Sequence, residues 1–142
     1  MSKSHGAILI TVLVCALVSA KTPHSKELDK DKNIINWVPY SSGIAQAKVN
    51  NKPVFLHFYA DWCAFCTKMA KETFKDRTVI KHLNANFISI RVDYDKEKDI
   101  AEEYRVRGFP TSILIDSKGK RRRTIPGYIS AEKLLAKLKK IE

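Results

Sequence analysis

Three short segments in the central part of the chain are rich in apolar and β-branched residues. These segments cover residues 54–59, 87–93 and 111–116, and the first is nearly continuous in apolar residues. A nearly continuous run of this length is typical of a central strand that is covered on both faces of a sheet. We therefore predict three buried strands, and an antiparallel fourth strand that follows a turn at 117–120 and ends near Ile125.

Elsewhere the apolar residues recur every three or four positions, which is the period of a helix that buries one face. This spacing puts Val49 and Phe65 on buried helix faces. Residues 37–40 predict a short first strand, and Pro39 confines it to a sheet edge. The predicted helices run from Ser41 or Ser42 to about Asn50, over 63–75 with a helical continuation over 78–83, over 97–104, and onward from Ser130.

This order of elements predicts an α/β fold with a central mixed β-sheet that is flanked by helices on both faces. The chain has 142 residues, which is enough for one domain with a substantial core. Its composition, 44% hydrophobic and 29% charged, excludes a disordered or collagen-like protein. The sequence shows no internal repeat and no second domain.

The first twenty residues have the pattern of a secretory signal peptide. Lys3 precedes an almost wholly apolar stretch at 7–18, and small residues follow it up to Ala20. Because this order is typical of a cleaved signal, we predict a signal peptide over 1–20 with cleavage after Ala20. An uncleaved membrane anchor over 7–20 is the alternative, although the stretch is short for a bilayer-spanning helix.

The remaining chain divides into two parts. A polar, charged leader over 21–36 is predicted to be flexible, and it precedes a domain over 37–142. Cys15 lies in the predicted signal peptide, so cleavage leaves only Cys63 and Cys66. A periplasmic or secreted protein with one such pair is a candidate redox protein, because its compartment permits disulfides.

Cys63 and Cys66 lie where a predicted strand passes into a helix. A sulfur at the first position sits over unpaired backbone N–H groups and the positive end of the helix dipole, which stabilise a thiolate. The second cysteine, one turn later, lies on the same helix face and can close a disulfide. The pair therefore suits a redox dithiol that needs no other cofactor.

A soft-metal carrier is the alternative from a different functional class. Cys63, Cys66 and a nearby histidine could bind Cu(I). However, the sequence has no methionine-rich stretch, and zinc would require four ligands where only one cysteine pair exists. We therefore predict no metal site.

Further motifs give the pair a family context. These motifs are Trp62-Cys63-x-x-Cys66 after an apolar strand, Gly108-Phe109-Pro110-Thr111 before the hairpin, and Gly127 after it. Together they resemble the thioredoxin superfamily over about residues 37–142. The stretch before and through the cysteines is most similar to exported thiol:disulfide interchange proteins of the DsbD type.

The resemblance implies a role for each matching residue. Cys63 would be the nucleophile whose thiolate attacks a partner's disulfide, and Cys66 would be the buried resolving thiol. Trp62 would shield the pair and contribute to the docking surface. Pro110 would be cis and opposite Cys63, and the backbone of Phe109 would pair with an incoming peptide.

His57 departs from the family pattern. Many relatives carry a buried acid six residues before the first cysteine, where this chain has His57. We hypothesise that the imidazole relays the proton of Cys66, and the alternative is a hydrogen-bonded core histidine. Arg91, on the neighbouring strand, would oppose protonation of His57, unless it forms a salt bridge or is exposed at the surface.

The dipeptide between the cysteines indicates the direction of electron flow. Ala64 and Phe65 offer no polar side chain to stabilise the Cys63 thiolate, which favours a reductant or a mid-potential exchanger over a strong oxidant. The expected partners are oxidised client proteins and a membrane thiol reductase, and the expected state is a monomer. A disulfide oxidase or isomerase of the same fold is the alternative.

The chain carries a net charge of +11, and its densest basic run covers Lys118 to Arg123. At a hairpin, such a run is explained by a solvated turn and a charge-protected edge strand. An acidic protein partner or an anionic membrane surface is the functional alternative. Nucleic acid is not expected as a partner, since no aromatic-interleaved platform accompanies the charge.

Overall fold

The computed structural model describes residues 33–141. The predicted signal peptide, the alternative anchor over 7–20 and most of the leader lie outside the described residues. Within residues 33–141, no helix has both the length and the apolar character required to cross a bilayer.

Five strands and five helices make up the described chain. The strands are β1 (Trp37–Val38), β2 (Val54–Tyr59), β3 (Ile88–Asp93), β4 (Thr111–Ile115) and β5 (Arg121–Pro126). The helices are α1 (Tyr40–Asn50), α2 (Ala64–Lys71), α3 (Arg77–Asn86), α4 (Lys98–Glu103) and α5 (Ala131–Leu138), with a 3-10 turn at Thr73–Lys75. This arrangement confirms the predicted α/β class.

The strands form one mixed sheet in the order β1-β3-β2-β4-β5. β1, β3 and β2 run parallel, whereas β4 is antiparallel to β2 and β5 is antiparallel to β4. β2 therefore lies at the centre, which explains why its sequence is almost continuously apolar.

The side chains of β2 alternate between two hydrophobic cores. Phe55 packs on the side of α2, α3 and α5, while Leu56 and Phe58 pack on the side of α1 and α4. Helices cover both faces of the sheet, as predicted. A turn then leads from the end of β2 into α2, where the Cys63 amide donates to the Ala60 carbonyl over 3.2 Å.

The first residue of α1 and the buried face of α1 both differ from the prediction. It begins at Tyr40 with Pro39 as the N-cap, and not after Ser41 or Ser42. Val49 is 86% exposed, so its predicted burial is wrong. The buried face of α1 is set by Gly43 and Ala47, and Val49 lies roughly 200° around the helix from Ala47.

The predicted long helix over 63–75 is broken. α2 ends at Lys71, and Asp76 begins a new helix by accepting hydrogen bonds from the amides of Thr78 and Val79 over 2.9 and 3.0 Å. An aspartate in this position is a strong N-cap. The helix predicted over 63–75, with its continuation over 78–83, left this capping signal at Asp76 out of account.

The end of the predicted leader packs against the domain. Ile35 is buried, and the side chain of Asn84 bridges two backbone groups beside it. Asn84 accepts from the Asn36 amide and donates to the Ile34 carbonyl, each over 2.9 Å. Residues 34–36 therefore belong to the packed structure and are not flexible as predicted.

A substitution at Gly43 tests the close contact between α1 and β3. A β-carbon at this position would lie 2.5 Å from Cγ1 of the fully buried Ile90. Alanine normally stabilises a helix by about 0.5–1 kcal/mol relative to glycine. Here we expect Gly43→Ala to destabilise the protein by about 1–3 kcal/mol in urea unfolding, because the core is overpacked. Gly108→Ala is the control, since its β-carbon meets nothing within 4 Å, and an equal loss in both would refute the contact argument.

Candidate active site

Cys63 and Cys66 form a disulfide at the N-terminus of α2. Cys63 is the N-cap residue, and its Sγ accepts a hydrogen bond from the Cys66 amide over 3.1 Å. The Cys63 carbonyl accepts from the amides of Cys66 and Thr67, each over 3.1 Å. The first sulfur therefore occupies the site where a helix stabilises negative charge most strongly.

The two sulfurs differ in exposure. Cys63 is 8% exposed and Cys66 is 3% exposed, and both pack with Ala60. Because Cys66 belongs to the buried face of α2, Cys63 is the more accessible residue of the pair.

Exposed aromatic side chains flank the disulfide. Trp62 is 67% exposed and Phe65 is 63% exposed, so the predicted burial of Phe65 is wrong. Cys66 and Met69 form the buried face of α2, which leaves Phe65 directed toward solvent. Phe65 is therefore a surface residue of the site that the helical periodicity did not predict; the need to bury Cys66 could have indicated it.

Trp62 is tied to the loops opposite α2. Its Nε1 donates to Asp95 over 3.4 Å, and its ring meets that of Phe109 edge-on at 6.0 Å between centroids. Phe109 also packs against the cluster of Ala60, Cys63 and Cys66. The structure therefore brings together both cysteines, Trp62 and Phe109, as the sequence analysis expected.

The Phe109–Pro110 peptide bond is cis, which confirms the prediction. Pro110 is buried, and its carbonyl accepts from the Gly127 amide over 2.7 Å. This bond joins the loop before β4 to the end of β5. Phe109 of this loop packs against the cluster that contains the two cysteines.

His57 is buried in β2, with 1% exposure. Its Nδ1 lies 3.0 Å from the Ser112 hydroxyl, and the ring of Phe74 meets it edge-on at 4.8 Å. Burial, and secondly the charge of Arg91, lower the pKa of His57 to about 3. Among the described residues, no hydrogen bond joins His57 to Cys66.

Arg91 is paired with His57 in the register of β2 and β3. Its guanidinium carbon lies 3.7 Å from the centre of the Tyr59 ring, and its Nε is buried without a hydrogen-bond partner in the described chain. No carboxylate in residues 33–141 forms an ion pair with it. Arg91 opposes protonation of His57, as hypothesised.

Because His57 is buried, we expect the folded protein to become less stable as the pH falls. Its pKa falls from 6.5 to about 3 on folding, so between these values the unfolded chain binds more protons than the folded one. Lowering the pH below about 6.5 should therefore reduce the free energy of unfolding, by at most about 1.4 kcal/mol per pH unit. His57→Gln should lose this contribution in denaturant titrations from pH 7 to 4. Parallel curves for the two proteins would contradict the assignment.

No three His, Cys, Asp or Glu side chains among residues 33–141 are arranged to hold a metal ion. The basic run occupies the hairpin between β4 and β5, and β5 is an edge strand. Arg122 approaches Asp116 at 3.9 Å, while Lys118, Lys120 and Arg123 are exposed. This placement agrees with the expectation of a charged turn and a protected edge.

Comparison with known proteins adds family information. A family model described as a thioredoxin-like domain matches residues 40–142. Disulfide bond reductase DsbH of Chlamydia pneumoniae is 25% identical over 131 residues, which are 81% of this chain and 78% of DsbH. Thiol:disulfide interchange protein DsbD of Photorhabdus laumondii is 32% identical over 106 residues, which are 72% of this chain but only 18% of DsbD. A solved thioredoxin of Thermus thermophilus superposes with a TM-score of 0.69 at 25% identity, covering 75% of this chain and 86% of that one.

Proposed function

The chain belongs to the thioredoxin-like family of thiol:disulfide oxidoreductases, and on this basis we propose that it acts outside the cytoplasm, reducing or exchanging disulfides of client proteins through Cys63 and Cys66. The main support for the proposal is the position of Cys63. Its sulfur caps α2 and accepts a hydrogen bond from the Cys66 amide over 3.1 Å. The names of DsbH and DsbD support disulfide reduction and interchange as the reaction.

The proposed reaction proceeds in two thiol–disulfide exchanges. In the reduced protein, the thiolate of Cys63 attacks one sulfur of the client disulfide, which forms a mixed disulfide and releases the other client sulfur as a thiolate. The Cys66 thiolate then attacks Sγ of Cys63, restores the internal disulfide and releases the second client thiol. Two electrons and two protons pass from the dithiol to the client.

The surroundings of the disulfide support docking of an extended client segment. Trp62 stands exposed beside the pair, and its ring contacts Phe109 of the cis Phe109–Pro110 loop, which packs against the cysteines. We assign Trp62, Phe109 and Pro110 to client binding. Phe65, which is also exposed beside the pair, extends the apolar rim.

The apolar Ala64–Phe65 insert supports electron donation to the client. A membrane thiol reductase would then return two electrons to the Cys63–Cys66 disulfide. Equilibration of the full-length chain with glutathione buffers tests this direction, and we expect a reduction potential below about −200 mV. A value near about −120 mV, typical of a strong oxidant, would identify an oxidase instead.

Export through the segment 1–20 forms part of the proposal. The order of basic, apolar and small residues supports cleavage after Ala20. N-terminal sequencing of the protein from its host is expected to give Lys21 as the first residue. Recovery of an intact N-terminus in the membrane fraction would favour the anchor over 7–20.

We also propose that His57 passes the proton of Cys66 to its surroundings through Ser112. The lowered pKa disfavours a protonated imidazole, so the relay requires one ring nitrogen to take up a proton as the other releases one, and Nδ1 contacts the Ser112 hydroxyl. In His57→Gln, Cys66 must ionise without an acceptor, so its attack should slow by about tenfold or more at pH 7 and recover at higher pH. Stopped-flow release of the client thiol from the mixed disulfide measures this step. A variant that is less stable but has an unchanged pH profile would indicate a purely structural histidine.

A further inference from the structure

A groove of about 360 Å³ lies between the loop that follows α4 and the strands β4 and β5. Its lining includes Arg105 and Arg107 from the loop, Arg121 from β5, and Phe109. No acidic residue lines it. Three cationic side chains therefore face a concave surface without a lining group to neutralise them.

The groove arginines are free of ion pairs within the described chain. The ion pairs of residues 33–141 join Lys96 to Asp93 and Arg122 to Asp116. Arg121 is instead oriented by a neutral contact, since its Nη2 donates to the Tyr104 carbonyl over 3.0 Å. A guanidinium held in this way keeps further N–H groups for a ligand carboxylate.

The groove borders the cysteine cluster at Phe109. Phe109 lines the groove and also packs against the cluster that contains Cys63 and Cys66. Gly108 and Gly127, which also line it, leave open space where a side chain would stand. An extended segment that crosses the Phe109–Pro110 loop beside Cys63 can therefore continue into the groove.

Arg105 occupies an unusual backbone position. It follows α4 with φ at +54°, in the left-handed region that glycine or asparagine favours after a helix. A residue with a β-carbon adopts this conformation at a conformational cost. Glycine fits this backbone conformation better than arginine does. Replacing Arg105 with glycine therefore removes the side chain from the groove without straining the backbone.

We propose that this basic groove binds Asp or Glu side chains that flank the reacting cysteine of the client, so that the protein prefers acidic clients. The inference rests on the function proposed above. The rigid fork of a guanidinium matches a carboxylate. A groove with walls that leads to the disulfide suits a peptide better than the flat surface of an anionic membrane.

The test compares three disulfide-linked peptides that share one core and carry Glu, Gln or Lys on both sides of the cysteine. For the full-length chain at low salt, we expect kcat/KM to be about tenfold higher for the Glu peptide than for the Lys peptide, with the difference shrinking as salt rises. Replacing Arg105, Arg107 and Arg121 with Gln should remove the preference. The matched control replaces Lys118, Lys120 and Arg123 with Gln; it loses the same charge outside the groove and should keep the preference.

Arg105→Gly provides a second test if the triple groove variant does not fold. Glycine suits the backbone at this position, so the thermal midpoint should stay equal or rise while the preference for the Glu peptide falls. An unchanged preference would contradict the proposal. So would an equal loss of preference in the groove and control triple variants, because net charge would then explain the effect.

Two outcomes separate this inference from the function on which it rests. Reduction of all three peptides at one rate would overturn the groove proposal and leave the oxidoreductase function intact. Failure to reduce any peptide would overturn both. If the groove variant lost binding to phosphatidylglycerol vesicles, and the wild-type chain showed no peptide preference, the groove would be a lipid surface and the proposal would be wrong.

Discussion

Cys63→Ser in the full-length chain should lower the rate of disulfide reduction by at least about a thousandfold. Serine keeps the shape of the N-cap of α2. Its hydroxyl, however, stays protonated at neutral pH, so no anion forms at the position where the Cys66 amide reaches Sγ over 3.1 Å. Reduction of insulin by the variant in the presence of dithiothreitol, compared with the uncatalysed rate, measures the loss.

The sequence offers a matched control for this substitution. Cys15→Ser makes the same chemical change in the predicted signal peptide and should leave the rate within about twofold of wild type. A Cys63→Ser variant that keeps more than a tenth of the activity would show that reduction does not depend on this nucleophile.

Phe55→Ala should destabilise the fold by about 3–5 kcal/mol, which approaches the total stability of many domains. Phe55 is fully buried in β2, the central strand of the sheet. Its ring lies 6.0 Å from those of Trp37 and Phe74, measured between centroids. Removing the ring leaves a cavity. The strands on both sides of β2 prevent this cavity from closing. Urea unfolding followed by circular dichroism measures the change.

Phe65→Ala is the control for the stability effect, because Phe65 is 63% exposed. It should change the free energy of unfolding by less than about 0.5 kcal/mol. Similar losses in the two variants would mean that the buried positions of β2 and α2 are assigned incorrectly. The contrast thus tests which of two phenylalanines, ten residues apart, faces the core.

The central part of the fold follows from the sequence because its signals are local. The apolar run of β2 leads directly into Cys63, and the strand, the turn and the helix cap lie within a few residues of one another. The cis bond at Pro110 came from the family resemblance, since composition does not distinguish a cis from a trans proline. The break before α3 was also local, but the periodic pattern across residues 63–83 concealed the cap at Asp76.

The chemistry around the cysteines depended on residues far apart in the chain. The family resemblance identified His57, yet its low pKa arises from burial and from Arg91 on another strand. Likewise, the run 118–123 looked like one basic patch. In the structure, Arg121 of β5 lines the groove with Arg105 and Arg107. Arg123 is instead paired with Leu114 in the β4–β5 register. The register shift between β4 and β5 at Leu114 and Ile115 and the fold of the α4 loop therefore decide which charges act together.

The central claim is that Cys63 attacks the client and Cys66 resolves the intermediate. The most direct measurement reacts two reduced variants, Cys15→Ser with Cys66→Ala and Cys15→Ser with Cys63→Ala, with one peptide disulfide and maps the adducts by mass spectrometry. The account predicts a rapid, persistent mixed disulfide on Cys63 in the first variant and a much slower reaction of Cys66 in the second. Faster reaction at Cys66, or no adduct on Cys63, would contradict it.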